Sequence, residues 1–111
     1  MDINYKIDNR NLIVELYGEL DHHIASDVRE EIDMAIDKNS IKNVIFDLKN
    51  MNFMDSSGVG VIIGRYRKLS ETGGKVIALN LNKHVQRIFD LSGIDKIIGI
   101  YNDYEEAISS L

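Results

Sequence analysis

Two short, almost continuous apolar runs place the strongest constraint on what this chain can fold into. Val44–Leu48 lies near the middle of the chain, and Val76–Leu79 follows about one helix later. Runs of this length are typical of strands that are buried on both faces of a sheet. Between them, apolar residues from Val59 to Leu69 recur at helical spacing. This strand–helix–strand order predicts a parallel sheet with a right-handed crossover.

The rest of the chain continues the same alternation. Weak strand patterns before and after the turn cluster at residues 8–11 predict an opening antiparallel hairpin. The further predicted elements are helices at 24–38, 56–72, 83–91 and 104–111 and a last strand at 97–100. The prediction is one α/β domain over residues 1–111. Its mixed, mostly parallel sheet has about five strands and about four helices, in the order β-β-α-β-α-β-α-β-α.

Composition excludes several classes of function. The chain has 111 residues, 44% of them hydrophobic, which is enough for one core without covalent staples. It has no cysteine, so disulfides, thiolate catalysis and cysteine zinc sites are excluded. The net charge of −5 and the scattered basic residues argue against direct nucleic-acid binding. No signal-peptide pattern or membrane-length apolar run is present, so we expect a cytoplasmic protein without a membrane partner.

The loops at the carboxyl ends of parallel strands usually form the functional rim of such a sheet. Two of these loops carry notable polar residues, namely residues 18–23 and residues 49–57. If the two preceding strands are neighbours, Asp21, Asp55 and Ser56 converge at one edge. We therefore expect the site there.

Ser56 and Ser57 stand where the central helix is predicted to begin, and the simplest role for one of them is to cap that helix. A nucleophilic serine would need an adjacent base, and the G-x-S-x-G elbow of hydrolases is missing. A catalytic serine is therefore not predicted.

The glycines of the same segment could suggest a phosphate loop. However, the dinucleotide pattern would need glycine where Ile63 stands, and the P-loop pattern is absent. Nucleotide binding stays an alternative with weak support. Small residues also allow close approach of another backbone. We expect intramolecular packing for Gly64, and contact with a partner for Gly58 and Gly60.

Two polar clusters are expected to have ordinary roles. His22 and His23 beside Asp21 lack the further ligands that a metal site needs, so neither a metal nor a cofactor is predicted. Asp21 suits the region of a helix N-cap. The basic stretch Arg65–Lys68 is interpreted as the solvated side of its helix, with its cations near the helix C-terminus.

Three segments carry a resemblance to a known family: Gly18–His23, Phe53–Tyr66 and Phe89–Ile94. Over nearly the whole chain, the sequence resembles the anti-sigma factor antagonists of the STAS domain superfamily, and most of all those of sporulation. The Asp-Ser-Ser-Gly-Val-Gly segment is a specific signal in combination with the Gly-Glu-Leu-Asp loop.

The resemblance implies a phosphorylation switch and no enzymatic activity. The unphosphorylated protein would bind an anti-sigma factor that is also a serine kinase, and this would release a sigma factor. The kinase would then phosphorylate Ser56, and a serine phosphatase would reset the protein. Asp21 matches the family's kinase-recognition aspartate. Asp55, Ser57, Gly58 and Gly60 complete the expected partner-binding set. A purely structural STAS module of a signalling scaffold is a further alternative.

Overall fold

The computed structural model describes all residues from Met1 to Leu111. It contains six strands, four α-helices and one 3₁₀ turn at Ile94–Lys96. The strands are β1 (Asp2–Asp8), β2 (Asn11–Leu20), β3 (Asn43–Asp47), β4 (Met51–Met54), β5 (Val76–Leu79) and β6 (Gly99–Tyr101). The helices are α1 (Ala25–Lys38), α2 (Ser56–Ser70), α3 (Lys83–Ser92) and α4 (Tyr104–Ser109).

The sheet has the strand order β1-β2-β3-β5-β6. Its first pair, β1 with β2, is antiparallel, and every other pair is parallel. This confirms the predicted mixed, mostly parallel sheet and its opening hairpin. The fourth strand, β4, lies off this path and pairs only with the end of β2. The carboxyl ends of β2 and β4 are therefore neighbours.

Successive strand residues point to opposite faces, and the two faces are covered differently. One face carries the main core, in which α1, α2 and α3 pack on residues such as Leu12, Val14 and Phe46. The other face carries a smaller cluster around Ile13, Ile45 and Ile77, and Ala107 of α4 packs there. Three helices thus cover one face of the sheet, and a single short helix covers part of the other.

The sixth strand is the main difference from the predicted architecture. Residues 49–57 were expected to form one loop, but Met51–Met54 pair in parallel with Gly18–Leu20 of β2. The expected 18–23 loop is correspondingly shorter, because β2 runs through Leu20. A four-residue strand with a single partner strand leaves only a weak pattern in the sequence, with Met51 and Met54 buried and the residues between them exposed.

Smaller differences concern the ends of elements. Helix α2 ends at Ser70, two residues earlier than predicted, and a turn follows in which Gly73 has φ +76°. The N–H of Gly74 donates to the Leu69 carbonyl at 2.8 Å, so the glycine pair closes the helix as expected. The last strand begins at Gly99 rather than Ile97 because the 3₁₀ turn precedes it.

The interpretation of Arg65 as a solvated residue is wrong. Arg65 is only 6% exposed, and its Nε lies 2.9 Å from Asp33 Oδ1 on α1. The Nε–H group is poorly aligned for a hydrogen bond, and Nη1 has no partner. Burial lowers the pKa of the guanidinium, Asp33 opposes that shift, and Arg29 adds to it. A charge in the core thus connects α1 and α2.

Candidate functional site

The two predicted rim loops meet at one edge of the sheet. Leu20 and Met54 are paired across β2 and β4, and the Asp55 N–H donates to the Leu20 carbonyl at 3.3 Å. A second bond joins the loops, because the His22 N–H donates to Asp55 Oδ2 at 3.2 Å. The structure therefore brings Asp21, Asp55 and Ser56 together, as expected if their strands were neighbours.

Asp55 is the N-cap of α2, a role that the sequence analysis gave to one of the two serines. Its backbone is extended, and its Oδ1 accepts a bond from the Ser57 N–H at 2.8 Å. Partial burial favours the neutral acid, but the donors from Ser57 and His22 outweigh it and hold the pKa of Asp55 below its ordinary value. Asp55 is thus a fixed carboxylate that satisfies the helix end and orders the neighbouring loop.

Because Asp55 caps α2, Ser56 does not act as the cap. It occupies the first helical position of α2, it is exposed, and its hydroxyl makes no hydrogen bond within the chain. Ser57, the next residue, is half-buried, and its N–H is the one bound by Asp55. Neither serine hydroxyl makes a hydrogen bond within the chain, and Ser56 has the more accessible one.

Asp21 organises the loop that faces this helix start. Its Oδ1 accepts a bond from the His23 N–H at 2.9 Å, and its backbone carbonyl accepts bonds from Ile24 and Ala25. Helix α1 has Ile24 at its N-cap position and no side-chain cap, so Asp21 supports the turn before the helix instead. Each of the two carboxylates has one imidazole Nδ1 at 3.6 Å, that of His22 for Asp55 and that of His23 for Asp21.

The three glycines of α2 have different surroundings. A Cβ on Gly58 would lie 2.5 Å from Met54 Cγ and 3.1 Å from the Leu20 carbonyl oxygen, so Gly58 allows α2 to seat against β2 and β4. A Cβ on Gly60 or Gly64 would meet nothing within 4 Å. The intramolecular role expected for Gly64 therefore belongs to Gly58. Gly60 is exposed, and its contact with a partner stays a prediction.

Sequence reasoning missed the residues that hold the outer side of β4. Asn82 caps α3 and also donates to the Met51 carbonyl at 2.6 Å, and His84 Nε2 lies 3.3 Å from the Met54 carbonyl. The His84 ring stacks on Phe53, with 5.1 Å between ring centroids. An asparagine directly before a helical pattern is an N-cap signal, and it could have indicated Asn82.

Other kinds of site find little support in the geometry. The glycines lie inside α2 rather than in a loop before it, which is not the geometry of a phosphate loop. No group of three or more His, Asp or Glu side chains is placed to hold a metal ion. None of the helices combines the length and the apolar character that crossing a membrane requires.

This α/β sheet, with a polar rim at the start of its central helix, matches a known domain class. The family model for the STAS domain matches residues 2–107, and the chain belongs to this family. It is 44% identical over 100 residues to an anti-sigma F factor antagonist of Paenibacillus polymyxa, covering 90% of this chain and 86% of that protein.

Solved structures agree with the family membership. The unphosphorylated form of the anti-sigma factor antagonist SpoIIAA superposes with a TM-score of 0.84 at 34% identity, covering 98% of this chain and 95% of the other. The phosphorylated form of the Bacillus cell fate determinant SpoIIAA superposes with a TM-score of 0.74 at 33% identity, covering 98% of each chain. A protein of this fold thus exists in an unphosphorylated and a phosphorylated form.

Proposed function

We propose that this protein is an anti-sigma factor antagonist of the cytoplasm, without enzymatic activity of its own, and that Ser56 is its phosphorylation site. In the unphosphorylated state it binds an anti-sigma factor that is also a serine kinase, and binding releases a sigma factor. Phosphorylation of Ser56 ends this complex, and a serine phosphatase restores the active form.

The observation that carries the proposal is the state of the Ser56 hydroxyl. It is exposed at the first position of α2, and Asp55 performs the capping role that would otherwise occupy a serine. A kinase can therefore reach the hydroxyl without breaking a helix cap. The similarity to SpoIIAA, which is known in unphosphorylated and phosphorylated forms, supports the same conclusion.

The charges around Ser56 explain how the modification would act. A phosphate adds about −1.5 to −2 charges at neutral pH. The helix N-terminus favours that charge, so the domain should stay folded. Asp55 and Asp21 repel it, and the basic side chains within 4 Å of these two carboxylates are imidazoles, not arginines or lysines. Because an interface must desolvate this excess negative charge, phosphorylation weakens binding more than folding.

The phosphorylation site can be tested with matched serine variants. The protein is incubated with its anti-sigma factor kinase and ATP, and the incorporated phosphate is located and counted by mass spectrometry. Wild type and Ser57→Ala should each take up one phosphate per chain, and Ser56→Ala should take up none. Uptake by Ser56→Ala at the wild-type stoichiometry would show that another residue is the acceptor.

The effect of the charge on binding can be tested with Ser56→Asp. This variant should have a wild-type urea unfolding midpoint, because an acidic residue is favourable in the first turn of a helix. Its affinity for the kinase in calorimetry should fall by about tenfold or more, as expected when an unpaired charge enters an interface. Wild-type affinity in a folded Ser56→Asp protein would refute the electrostatic mechanism.

A further inference from the structure

The first strand forms an open edge of the sheet. β1 pairs with β2 on one side only, and the seven residues Asp2–Asp8 have no strand on the other side. The outward N–H and C=O groups of such an edge can pair with another strand. Two apolar side chains on or beside it are notably exposed, Ile7 at 51% and Met1 at 40%. The edge thus offers both backbone groups and apolar surface.

The sequence of β1 is complementary to itself in one antiparallel register. Two identical strands related by a two-fold axis keep their faces aligned only if the axis passes through a residue. With the axis at Asn4, the exposed Met1 faces Ile7 of the second copy. Asp2 then faces Lys6 of the second copy, and Ile3 faces its Tyr5. Apart from the Asn4 pair on the axis, each cross-strand pair joins apolar with apolar or acid with base, which stabilises a sheet.

The neighbouring registers are less complementary. An axis at Ile3 sets no like charges opposite each other, but it pairs only residues 1–5 and leaves the exposed Ile7 without a facing residue. An axis at Tyr5 places Asp2 opposite Asp8 of the second copy, twice over. An axis at Lys6 places the two copies of Lys6 against each other. Like charges directly opposite each other destabilise a sheet. The order of charges along β1, together with the pairing of the exposed Ile7, therefore favours the register centred on Asn4.

We propose that β1 is a homodimerisation edge, and that two copies of this chain pair antiparallel through it with Asn4 at the two-fold axis. The occupant is a second copy rather than a foreign strand because the strand itself supplies both members of every pair. None of Asp21, Asp55 and Ser56 lies on β1. The proposal is therefore independent of the proposed switch, and each copy of the pair carries its own rim.

Charge reversal separates this register from the others. Sedimentation velocity of the wild-type chain over a range of concentrations should show a monomer–dimer equilibrium. Asp2→Lys sets like charges opposite each other at two places, and the dissociation constant should rise by about tenfold. Asp8→Lys, the same change on the same strand, lies beyond the paired residues and should leave the constant unchanged.

The sedimentation results can overturn the proposal in two ways. A wild-type chain that stays monomeric at the highest attainable concentration would refute dimerisation. An equal or larger effect of Asp8→Lys would refute the register. Both variants change exposed residues, so neither should prevent folding.

Covalent trapping gives an independent measurement. The chain has no cysteine, so a single introduced thiol can bridge only to its counterpart in another copy. Facing residues of an antiparallel pair have Cα separations of about 4.5–5.5 Å, within disulfide range. Mild oxidation should therefore give a covalent dimer with Asn4→Cys and leave Asp8→Cys monomeric. Trapping through Asp8→Cys alone would contradict the Asn4-centred pairing.

Discussion

The first and third turns of α2 differ sharply, although they belong to one helix. In the first turn, Ser56 is exposed with an uncommitted hydroxyl, and the polar groups nearby are satisfied by Asp55. In the third turn, Arg65 is buried against Asp33 of α1, and part of its guanidinium has no partner. About 14 Å of helix axis separates the two residues. The third turn of the helix is held in the core, and the first turn is exposed to solvent.

This difference teaches how a modification site can be carried on a regular helix. The site residues need few contacts of their own, because packing of the later turns fixes the position of α2. Gly58 lets the first turn also pack closely, because it permits contact with Leu20 and Met54. Changes in the anchor should therefore cost stability, and changes in the exposed turn should cost little.

The largest effect is expected from Asp33→Ala. The change leaves Arg65 buried without a counter-ion, and removal of one partner of a buried pair is strongly destabilising. Because Asp33 is partly exposed at 29%, we expect a loss of about 2–4 kcal/mol in the free energy of unfolding. Urea denaturation measures it. The double variant Asp33→Ala with Arg65→Met should regain much of the loss.

The chain offers a matched control for this pair. Asp37 and Lys68 connect the same two helices about one turn further along, with Nζ and Oδ1 3.1 Å apart, and both side chains are substantially exposed. Asp37→Ala should cost at most about 1 kcal/mol, as is usual for exposed ion pairs. If Asp33→Ala and Asp37→Ala cost the same, the buried pair is not an anchor.

A smaller effect is expected from Gly58→Ala. The added Cβ would lie 2.5 Å from Cγ of the fully buried Met54 and 3.1 Å from the Leu20 carbonyl oxygen, so the neighbouring structure must shift. Overpacking typically costs about 1–3 kcal/mol, and the higher helix propensity of alanine offsets about 1 kcal/mol of that cost. Gly64→Ala, with open space at its Cβ, should instead stabilise the protein by up to about 1 kcal/mol. Thermal unfolding of the two variants should move in opposite directions.

Much of the fold could be predicted because strand and helix periods differ so clearly in Val44–Leu48 and in the segment after it. The short strand Met51–Met54 could not, since it depends on pairing with a distant part of the chain. Arg65 was misplaced because its basic neighbours suggested solvent. Its spacing from Ile62 and Leu69 puts it on the apolar stripe, a signal that was available.

The candidate site was predicted in position but not in its internal roles. The rim loops were located because strands of a parallel sheet end at the same edge. Helix α2 begins at Ser56, as predicted, so the preceding Asp55 stands at the N-cap position, and that role was overlooked although the sequence carried its signal. Which glycine faces the core could not be predicted, because it depends on how α2 packs against β2 and β4.

The smallest effect is expected from the charge of Asp55, and Asp55→Asn makes it visible through its pH dependence. Asparagine can keep the bond from the Ser57 N–H through its Oδ1, but its Nδ2 is a donor and cannot accept from the His22 N–H, so the change removes the charge and one of the two accepted bonds. The pKa of Asp55 is lowered in the folded protein, so its contribution is full above the ordinary carboxyl value and is lost as the pH falls through the lowered one. At neutral pH the lost charge should cost about 0.3–1 kcal/mol, in addition to the pH-independent cost of the lost His22 bond. Urea titrations from neutral to strongly acidic pH should show the difference between the two proteins narrowing by that amount. A constant difference across that range would contradict a charged cap, since only the charge-dependent part of the difference changes with pH.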